Sequence, residues 1–316
     1  MSNKKMSATT YQRLKTKAEE ILEENLAEKR VVEGLQNNNW VFLTVDNKTP
    51  YLVKFVPEEE RDRLKIERKV YEFIDERLDI PVPKVLDYGE VEYGDFLVRE
   101  VIEGQSLKDY LINGKKNNKL LYQAGQFLAK LHQIEFEEKG IFTPDLRVKE
   151  HEIFSTVEYN KFLKKLFDHG GITKKEYSLL QKVDVDYYFK RPPYVFCHSD
   201  YSPNNILVKG DKVVSIIDME WACSAPYMDD LASFDLFLEL EGFNEGVAEY
   251  YRGYNSIKEI DDFFLEHKDF YKFYRLITML SYQVAAEDER FDNQFLENMK
   301  IRLRNLLRNY PDFKSI

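Results

Sequence analysis

Between Tyr11 and Leu35, apolar residues recur at helical spacing among charged ones, with Ile21, Leu22, Leu26 and Val31 in phase, which predicts an amphipathic helix or helix pair. The period then changes. Trp40-Val-Phe-Leu-Thr-Val and Tyr51-Leu-Val-Lys-Phe-Val are β-branched and aromatic runs separated by the turn-forming Asp46-Asn-Lys-Thr-Pro, a hairpin pattern. Helical spacing returns from Arg61 to Leu78 through Ile66, Val70, Tyr71 and Ile74, and stops before Ile80-Pro-Val-Pro, where proline forbids continuation. Val85 to Val91 and Phe96 to Ile102 predict two further strands joined around Gly94-Asp95. This opening region is expected as a helix-flanked antiparallel sheet.

Beyond Gly104 the pattern is mostly helical, beginning with the capping-box-like Ser106-Leu-Lys-Asp109. Leu120 to Ile134 predicts a strong helix with Ala124, Leu128 and Leu131 on one face. Two more helices flank Gly170-Gly171, and nearly everything from Asp229 onward carries helical spacing. The exception is a strand pair, Asn205-Ile-Leu-Val and Val213-Val-Ser-Ile-Ile, bracketing Lys209-Gly-Asp-Lys. Folded around Asp211-Lys212, that pair sets Asn205 opposite Asp218. The expected fold class is α+β, with an N-terminal antiparallel sheet lobe over residues 1–103 and a larger, mostly helical C-terminal lobe over 104–316. No internal repeat is evident.

Composition narrows the functional classes. The 316 residues are 43% hydrophobic, and a formal net charge of −10 argues against a nucleic-acid or anionic-membrane surface, either of which repels a globally acidic protein. A cationic small ligand fits that charge, but so does an ordinary acidic solvated surface. Cys197 and Cys223 show neither CxxC spacing nor paired histidines, so reduced, buried thiols are expected rather than a disulfide framework or zinc site. The N-terminal residues are polar and no long apolar run follows, an arrangement that fits a cytoplasmic protein.

The chemistry concentrates in Val195-Phe-Cys-His-Ser-Asp-Tyr-Ser-Pro-Asn-Asn-Ile-Leu-Val, followed after a short gap by Asp218-Met-Glu220. An amide oxygen from Asn205 and a carboxylate from Asp218, brought face to face, can hold Mg²⁺, which takes a few hard oxygen ligands and leaves its other positions to water and phosphates. Asp200, on the incoming loop, can orient or deprotonate a hydroxyl nucleophile aimed at a metal-bound phosphate. Taken singly, each Asp or Asn reads more readily as a turn former; the combination carries the argument.

These motifs resemble the aminoglycoside phosphotransferase and choline kinase family, relatives of the protein kinases, from about Gly34 to Asp235. His198-Ser-Asp200 through Asn205 resembles the catalytic loop and Ile217-Asp218-Met-Glu220 the metal-binding motif, with Pro226-Tyr-Met-Asp-Asp230-Leu-Ala232 similar to the segment that follows it. Val53-Lys54-Phe55 resembles the lysine strand, Glu67 stands where a helix glutamate partners that lysine, and Leu97 to Gly104 resembles the hinge. The resemblance implies a bilobal protein-kinase-like fold, Asp200 as catalytic aspartate, Asn205 and Asp218 as magnesium ligands, and Lys54, positioned by Glu67, as the α/β-phosphate ligand. Backbone groups of Glu100, Val101 and Ile102 would face the base of ATP or GTP. His198 and Asp230 take supporting hydrogen bonds, His132 is read as a packed core histidine, and Glu220 as either a second-metal contact or a solvated carboxylate. Three departures stand out: Ser199 where glycine is usual, Met219 where an aromatic is frequent, and a phosphate-covering segment, Gly34-Leu-Gln-Asn-Asn-Asn-Trp40, without G-x-G-x-x-G.

Only eleven residues separate Asp218 from Asp230, too few for the peptide-binding activation segment of a protein kinase. The resemblance therefore implies a small-molecule hydroxyl acceptor, with an antibiotic such as an aminoglycoside the first class to test. A metabolic kinase for choline, homoserine or a sugar derivative is the nearest alternative, and a non-catalytic nucleotide-binding regulator a more distant one. Asp229, Asp235, Glu239, Glu241, Glu287, Asp288 and Glu289 could favour a cationic acceptor or form a solvated face; Trp221, Tyr227 and Tyr282 could form a cation-binding wall or ordinary core.

Overall fold

A computed structural model describes residues 12–13, 15–17, 19–20, 26–33, 38–44, 50–91, 94–113, 117–285 and 293–309. The chain is mixed α+β and forms two compact units. The first comprises Met1–Gln105, Phe142–Arg147 and Ile206–Ala222, and the second Ser106–Ile141, Val148–Asn205 and Cys223–Ile316. The first unit thus takes in the Ile206–Ala222 segment, from beyond the 103/104 boundary read in the sequence.

The first unit is built on a five-stranded antiparallel sheet of β1 (Leu26–Glu33), β2 (Asn38–Thr44), β3 (Pro50–Pro57), β4 (Val85–Val91) and β5 (Gly94–Glu100), ordered β1-β2-β3-β5-β4. Strand β1 corrects the sequence reading. Its residues lie in the second half of the expected helix, yet Leu26 to Glu33 pair with Thr44 to Asn38. Its apolar positions satisfy a helical period over so short a window, and β-pairing with a neighbouring strand overrides that weak local signal. The helix Arg61–Arg77 buries Leu64, Glu67, Val70, Tyr71 and Ile74, a single stripe at three- and four-residue spacing that packs toward β5. It ends at Leu78, which turns to extended backbone while its N–H still reaches the Ile74 carbonyl at 2.9 Å. The proposed phosphate-covering segment lies outside the described residues at 34–37, and its residues from Asn38 to Trp40 belong to β2.

The hairpin Ile206–Lys209 and Lys212–Ile216 forms as expected, but its register does not. Lys209 pairs with Lys212, so the turn centres on Gly210-Asp211 rather than Asp211-Lys212. Gly210 takes φ 63°, the left-handed conformation a tight hairpin turn requires and glycine adopts at least cost. The register shifts again between Leu207 and Val208, and pairing ends with Ile206 against Ile216. Asn205 belongs to the 3-10 turn Pro203–Asn205, not to the ladder.

In the second unit, the helices Asn118–Leu131 and Val247–Asn255 approach so closely that a Cβ on Gly125 would stand 2.1 Å from the Tyr250 carbonyl oxygen, and one on Gly253 2.0 Å from that of Tyr122. Side chains are excluded at that crossing. The strand Tyr194–Cys197 pairs antiparallel with Cys223–Pro226, Val195 facing Ala225 and Cys197 facing Cys223. Both cysteines are buried free thiols. Helix Met228–Leu240 is buried on every face except at Glu239, and Asp262–Ala285 supplies a second long core helix. No helix among the described residues is long and apolar enough to cross a membrane.

Candidate active site

In the first unit, β3 carries Lys54 into the buried interior, where its side chain is only 2% exposed. Its Nζ donates to Glu67 Oε2 at 2.6 Å, Glu220 Oε2 at 2.9 Å and Asp218 Oδ1 at 3.1 Å. Burial alone would lower the lysine's pKa; the fields of Glu67, Asp218 and Glu220 more than reverse this and hold it well above the usual lysine range. The ammonium is therefore a fixed positive charge. Three carboxylates around one ammonium leave an excess of negative charge, and oxygens of Glu67, Asp218 and Glu220 lie within 4.8 Å of one another. Such a set of hard oxygen donors fits a magnesium ion.

Tyr71, one helical turn beyond Glu67, ties this group together. Its hydroxyl donates to Glu67 Oε1 at 3.0 Å and accepts from the backbone N–H of Asp218 at 2.8 Å. Asp218 needs such support because its φ of 66° is left-handed, costly for a residue with a Cβ. Burial and the neighbouring carboxylates keep the Tyr71 hydroxyl protonated, so it remains a donor. Glu220 is buried and ion-paired, which removes the reading as a solvated carboxylate; burial pushes it up to about 6 against the opposing pull of Lys54. Glu100, at the end of β5, accepts from Lys84 N at 3.0 Å, while Val101 and Ile102 follow it half-buried and outside the strand.

In the second unit, the loop after Tyr194–Cys197 is held on one carboxylate. Asp230, wholly buried on helix Met228–Leu240, accepts from His198 N at 2.7 Å and Ser199 N at 2.8 Å. His132 Nε2 lies 3.3 Å from the same carboxylate and its Nδ1 2.9 Å from Tyr254 Oη, so the ring is a buried, hydrogen-bonded core histidine. Burial would raise Asp230's pKa, but the His132 hydrogen bond and the nearby His132 and His198 hold it below the ordinary carboxylate range. Burial lowers His132, so at neutral pH the ring is uncharged and its proton belongs on Nε2, toward the carboxylate. Between the two anchored amides and Asp200, the loop turns through Ser199 at φ 65°. Glycine would suit that position better, which gives the departure noted in the sequence a physical meaning.

Asp200 N donates to His198 Nδ1 at 3.2 Å. Asn205 Nδ2 donates to both the Asp200 carbonyl and Asp200 Oδ2, each at 2.9 Å. On the other side, Arg275 Nη2 donates to the Ser199 carbonyl at 2.7 Å and to Asp200 Oδ1 at 3.1 Å. The structure thus brings together two groups of the expected residues, Lys54, Glu67, Asp218 and Glu220 in the first unit and His198, Asp200, Asn205 and Asp230 in the second. Sequence reasoning missed Tyr71 and Arg275. Tyr71 was legible only as an apolar helix position, although its spacing from Glu67 fits an i,i+4 pair; Arg275 had no motif to mark it.

The expected acidic wall is largely consumed inside the second unit. Asp235 and Glu239 both pair with Lys272 at 2.6 Å, Glu239 also with Arg302 at 2.9 Å, and Glu241 with Lys108 at 2.6 Å. Asp229 is buried, and Glu287, Asp288 and Glu289 lie outside the described residues. Of the aromatic residues, Tyr227 is buried core, Trp221 stacks under Arg63 at 3.9 Å in the first unit, and Tyr282 meets Lys165 at 4.7 Å in the second.

A buried lysine–glutamate pair beside an aspartate, and an aspartate clamped by an asparagine on a loop hung from a buried carboxylate, are the parts of a kinase-type phosphotransferase. The chain belongs to the phosphotransferase enzyme family, whose model matches residues 28–261. Solved structures of similar fold include a thermostable mutant of aminoglycoside phosphotransferase APH(4)-Ia, 15% identical with TM-score 0.68, covering 94% of this chain and 99% of that one. A GDP complex of a mutant aminoglycoside 2'-phosphotransferase-IIIa is 14% identical with TM-score 0.67, covering 97% and 100%. A fructosamine-3-kinase homologue from Haemophilus somnus is 16% identical with TM-score 0.64, covering 94% and 97%. No curated protein sequence matches the chain.

Proposed function

We propose that the protein is a magnesium-dependent small-molecule kinase that transfers the γ-phosphate of ATP or GTP to an acceptor hydroxyl. The observation that carries this reading is the Asp200 carboxylate, held by Asn205 at 2.9 Å on a loop whose backbone hangs from buried Asp230. A phosphoryl-transfer enzyme needs such a fixed acceptor of the hydroxyl proton more than it needs covalent chemistry. In the step proposed, the acceptor oxygen bonds to the γ-phosphorus as the bond from that phosphorus to the β,γ-bridging oxygen breaks. The hydroxyl proton passes to Asp200, and the nucleoside diphosphate leaves with the bonding electron pair. Lys54, held by Glu67, would bind the α- and β-phosphates; backbone groups from Glu100 to Ile102 would face the base; Asp218, one carboxylate of the set around Lys54, and Asn205, through its amide oxygen, would hold magnesium. Bound magnesium supplies charge neutralisation on the phosphates.

Relatives named for aminoglycosides support an antibiotic acceptor, and the fructosamine kinase homologue supports a sugar derivative as the second class to test. A cytoplasmic location, where nucleoside triphosphates are available, fits either class. The test is ADP and GDP release by the purified protein with Mg²⁺ and ATP or GTP, across aminoglycosides, macrolides, choline, homoserine and sugars. Turnover on one acceptor that disappears in Asp200→Asn, with nucleotide binding retained, is the expected result. Equal turnover in Asp200→Asn would remove Asp200 from the mechanism, and nucleotide binding with no transfer to any acceptor would favour a non-catalytic regulator.

A further inference from the structure

We infer that Arg275 is the positioning residue of Asp200, fixing the carboxylate and the loop backbone beside it from the face opposite Asn205; this rests on the reading of Asp200 given above. Three observations carry it. One guanidinium nitrogen, Arg275 Nη2, bonds both the Ser199 carbonyl at 2.7 Å and Asp200 Oδ1 at 3.1 Å, so it holds the strained residue and the carboxylate at once. Asn205 takes the other carboxylate oxygen, Oδ2, at 2.9 Å. With a donor on each oxygen, neither rotation of the carboxylate nor movement of the loop is free. A carboxylate still has lone pairs beyond these two bonds, so Asp200 keeps the capacity to accept a hydroxyl proton.

The third observation concerns what holds Arg275. Its side chain is only 12% exposed, on the long helix Asp262–Ala285, and its Nη1 lies 4.0 Å from Asp229 Oδ2. Asp229 is 1% exposed and neither of its carboxylate oxygens has a hydrogen-bond partner. A buried carboxylate with no hydrogen bond of its own has no evident role in building the helix; its nearest counter-charge is the guanidinium. Asp229 thus backs the guanidinium, as an anion above neutral pH, and the line Asp229, Arg275, Asp200 runs from the core to the reacting group. A planar guanidinium, charged at every working pH, can serve two acceptors in this way where the point charge of a lysine cannot reproduce the geometry.

The test compares Arg275→Ala, Arg275→Lys and the double variant Arg275→Met with Asp229→Asn, which removes both buried charges together and so guards against loss of the fold. Turnover is followed with the acceptor identified by the panel and as acceptor-independent hydrolysis of magnesium ATP, alongside crystal structures of the variants with magnesium ADP. Misplacement of a reacting group by about an ångström lowers rates on the order of 100-fold. Arg275→Ala is expected to lose kcat on that scale with the nucleotide KM unchanged within twofold, to recover partly on addition of guanidinium ion, and to show Asp200 in a new rotamer. Retention of the Asp200 rotamer in the folded variants, or kcat within threefold of the parent while Asp200→Asn is inactive, overturns the inference and leaves the role of Asp200 standing. Full activity in Asp200→Asn instead overturns the role of Asp200 itself, whatever Arg275 does.

Discussion

Replacing Asp230 by Asn tests how the loop carrying Asp200 is anchored, because the two side chains have nearly the same shape. The carboxylate accepts His198 N at 2.7 Å and Ser199 N at 2.8 Å, one on each oxygen, and faces His132 Nε2 at 3.3 Å. An asparagine keeps one acceptor oxygen but turns an NH₂ toward the remaining backbone N–H, donor against donor. A hydrogen bond to a charged group contributes about 1.5–3 kcal/mol, and a buried donor left unpaired costs about 1–3 kcal/mol more. The expected loss is therefore about 3–5 kcal/mol, a large part of the 5–15 kcal/mol that stabilises a typical domain. Urea unfolding followed by far-UV circular dichroism at pH 7 measures it. The sign of the pH dependence follows from the lowered pKa of Asp230, whose stabilising effect is present above the ordinary carboxylate range, near 4, and is lost as pH falls through the folded value. The gap between parent and variant should narrow below pH 4. A difference under about 1 kcal/mol at pH 7, below the cost of a single unpaired buried donor, or a gap that widens in acid, would refute the reasoning.

Two further predictions concern stability. Ser199→Gly should raise the midpoint of thermal unfolding, since φ 65° costs a side-chain-bearing residue about 1–2 kcal/mol and glycine's extra unfolded-state entropy returns about 0.5–1 of it; a lower midpoint would mean that the 3.0 Å contact between Ser199 Oγ and Cys223 Sγ matters more than the backbone. Burial pushes Asp229 up to about 7 against the pull of Arg275, so the folded protein keeps a proton that the unfolded chain has released above about pH 4. Stability should then fall as pH rises from about 4 to 7, by up to about 4 kcal/mol, and level off above. Asp229→Asn should flatten that slope in urea titrations; an unchanged slope would show that other groups set it.

The catalytic-loop and metal motifs were legible because their spacing is short and their residue types unusual together: His198, Asp200 and Asn205 fall within one loop and turn, and Asp218 and Glu220 follow one hairpin later. The strands β3, β4 and β5 were legible as well, being rich in β-branched and aromatic residues. Strand β1 was not, because eight residues mixing Leu26, Val31 and Val32 with charges satisfy either period, and only pairing with β2 decides. The hairpin register failed for a different reason. Counting residues assumes an unbroken ladder, and the shift at Leu207/Val208 with the turn at Gly210 moves the pairing by a residue. Arg275 and Tyr71 were invisible because their roles depend on long-range contacts, 75 positions from Arg275 to Asp200 and 147 from Tyr71 to Asp218.

Those same long-range contacts change what the net charge of −10 says about the acceptor. A carboxylate recruits a cationic ligand only to the extent that its charge is not already met within the fold. Lys272, itself 2% exposed, neutralises Asp235 and Glu239 at 2.6 Å each, Arg302 adds a second partner to Glu239, and Arg275 stands beside Asp229. Among the described residues, those that in sequence resemble an acidic wall thus have internal cationic neighbours, and the charge next to Asp200 is the positive one of Arg275. Acidity of the chain as a whole gives no reason to rank a polycationic antibiotic above a neutral sugar derivative. On charge alone the two stand level, so both belong in the first acceptor panel and measured turnover decides between them.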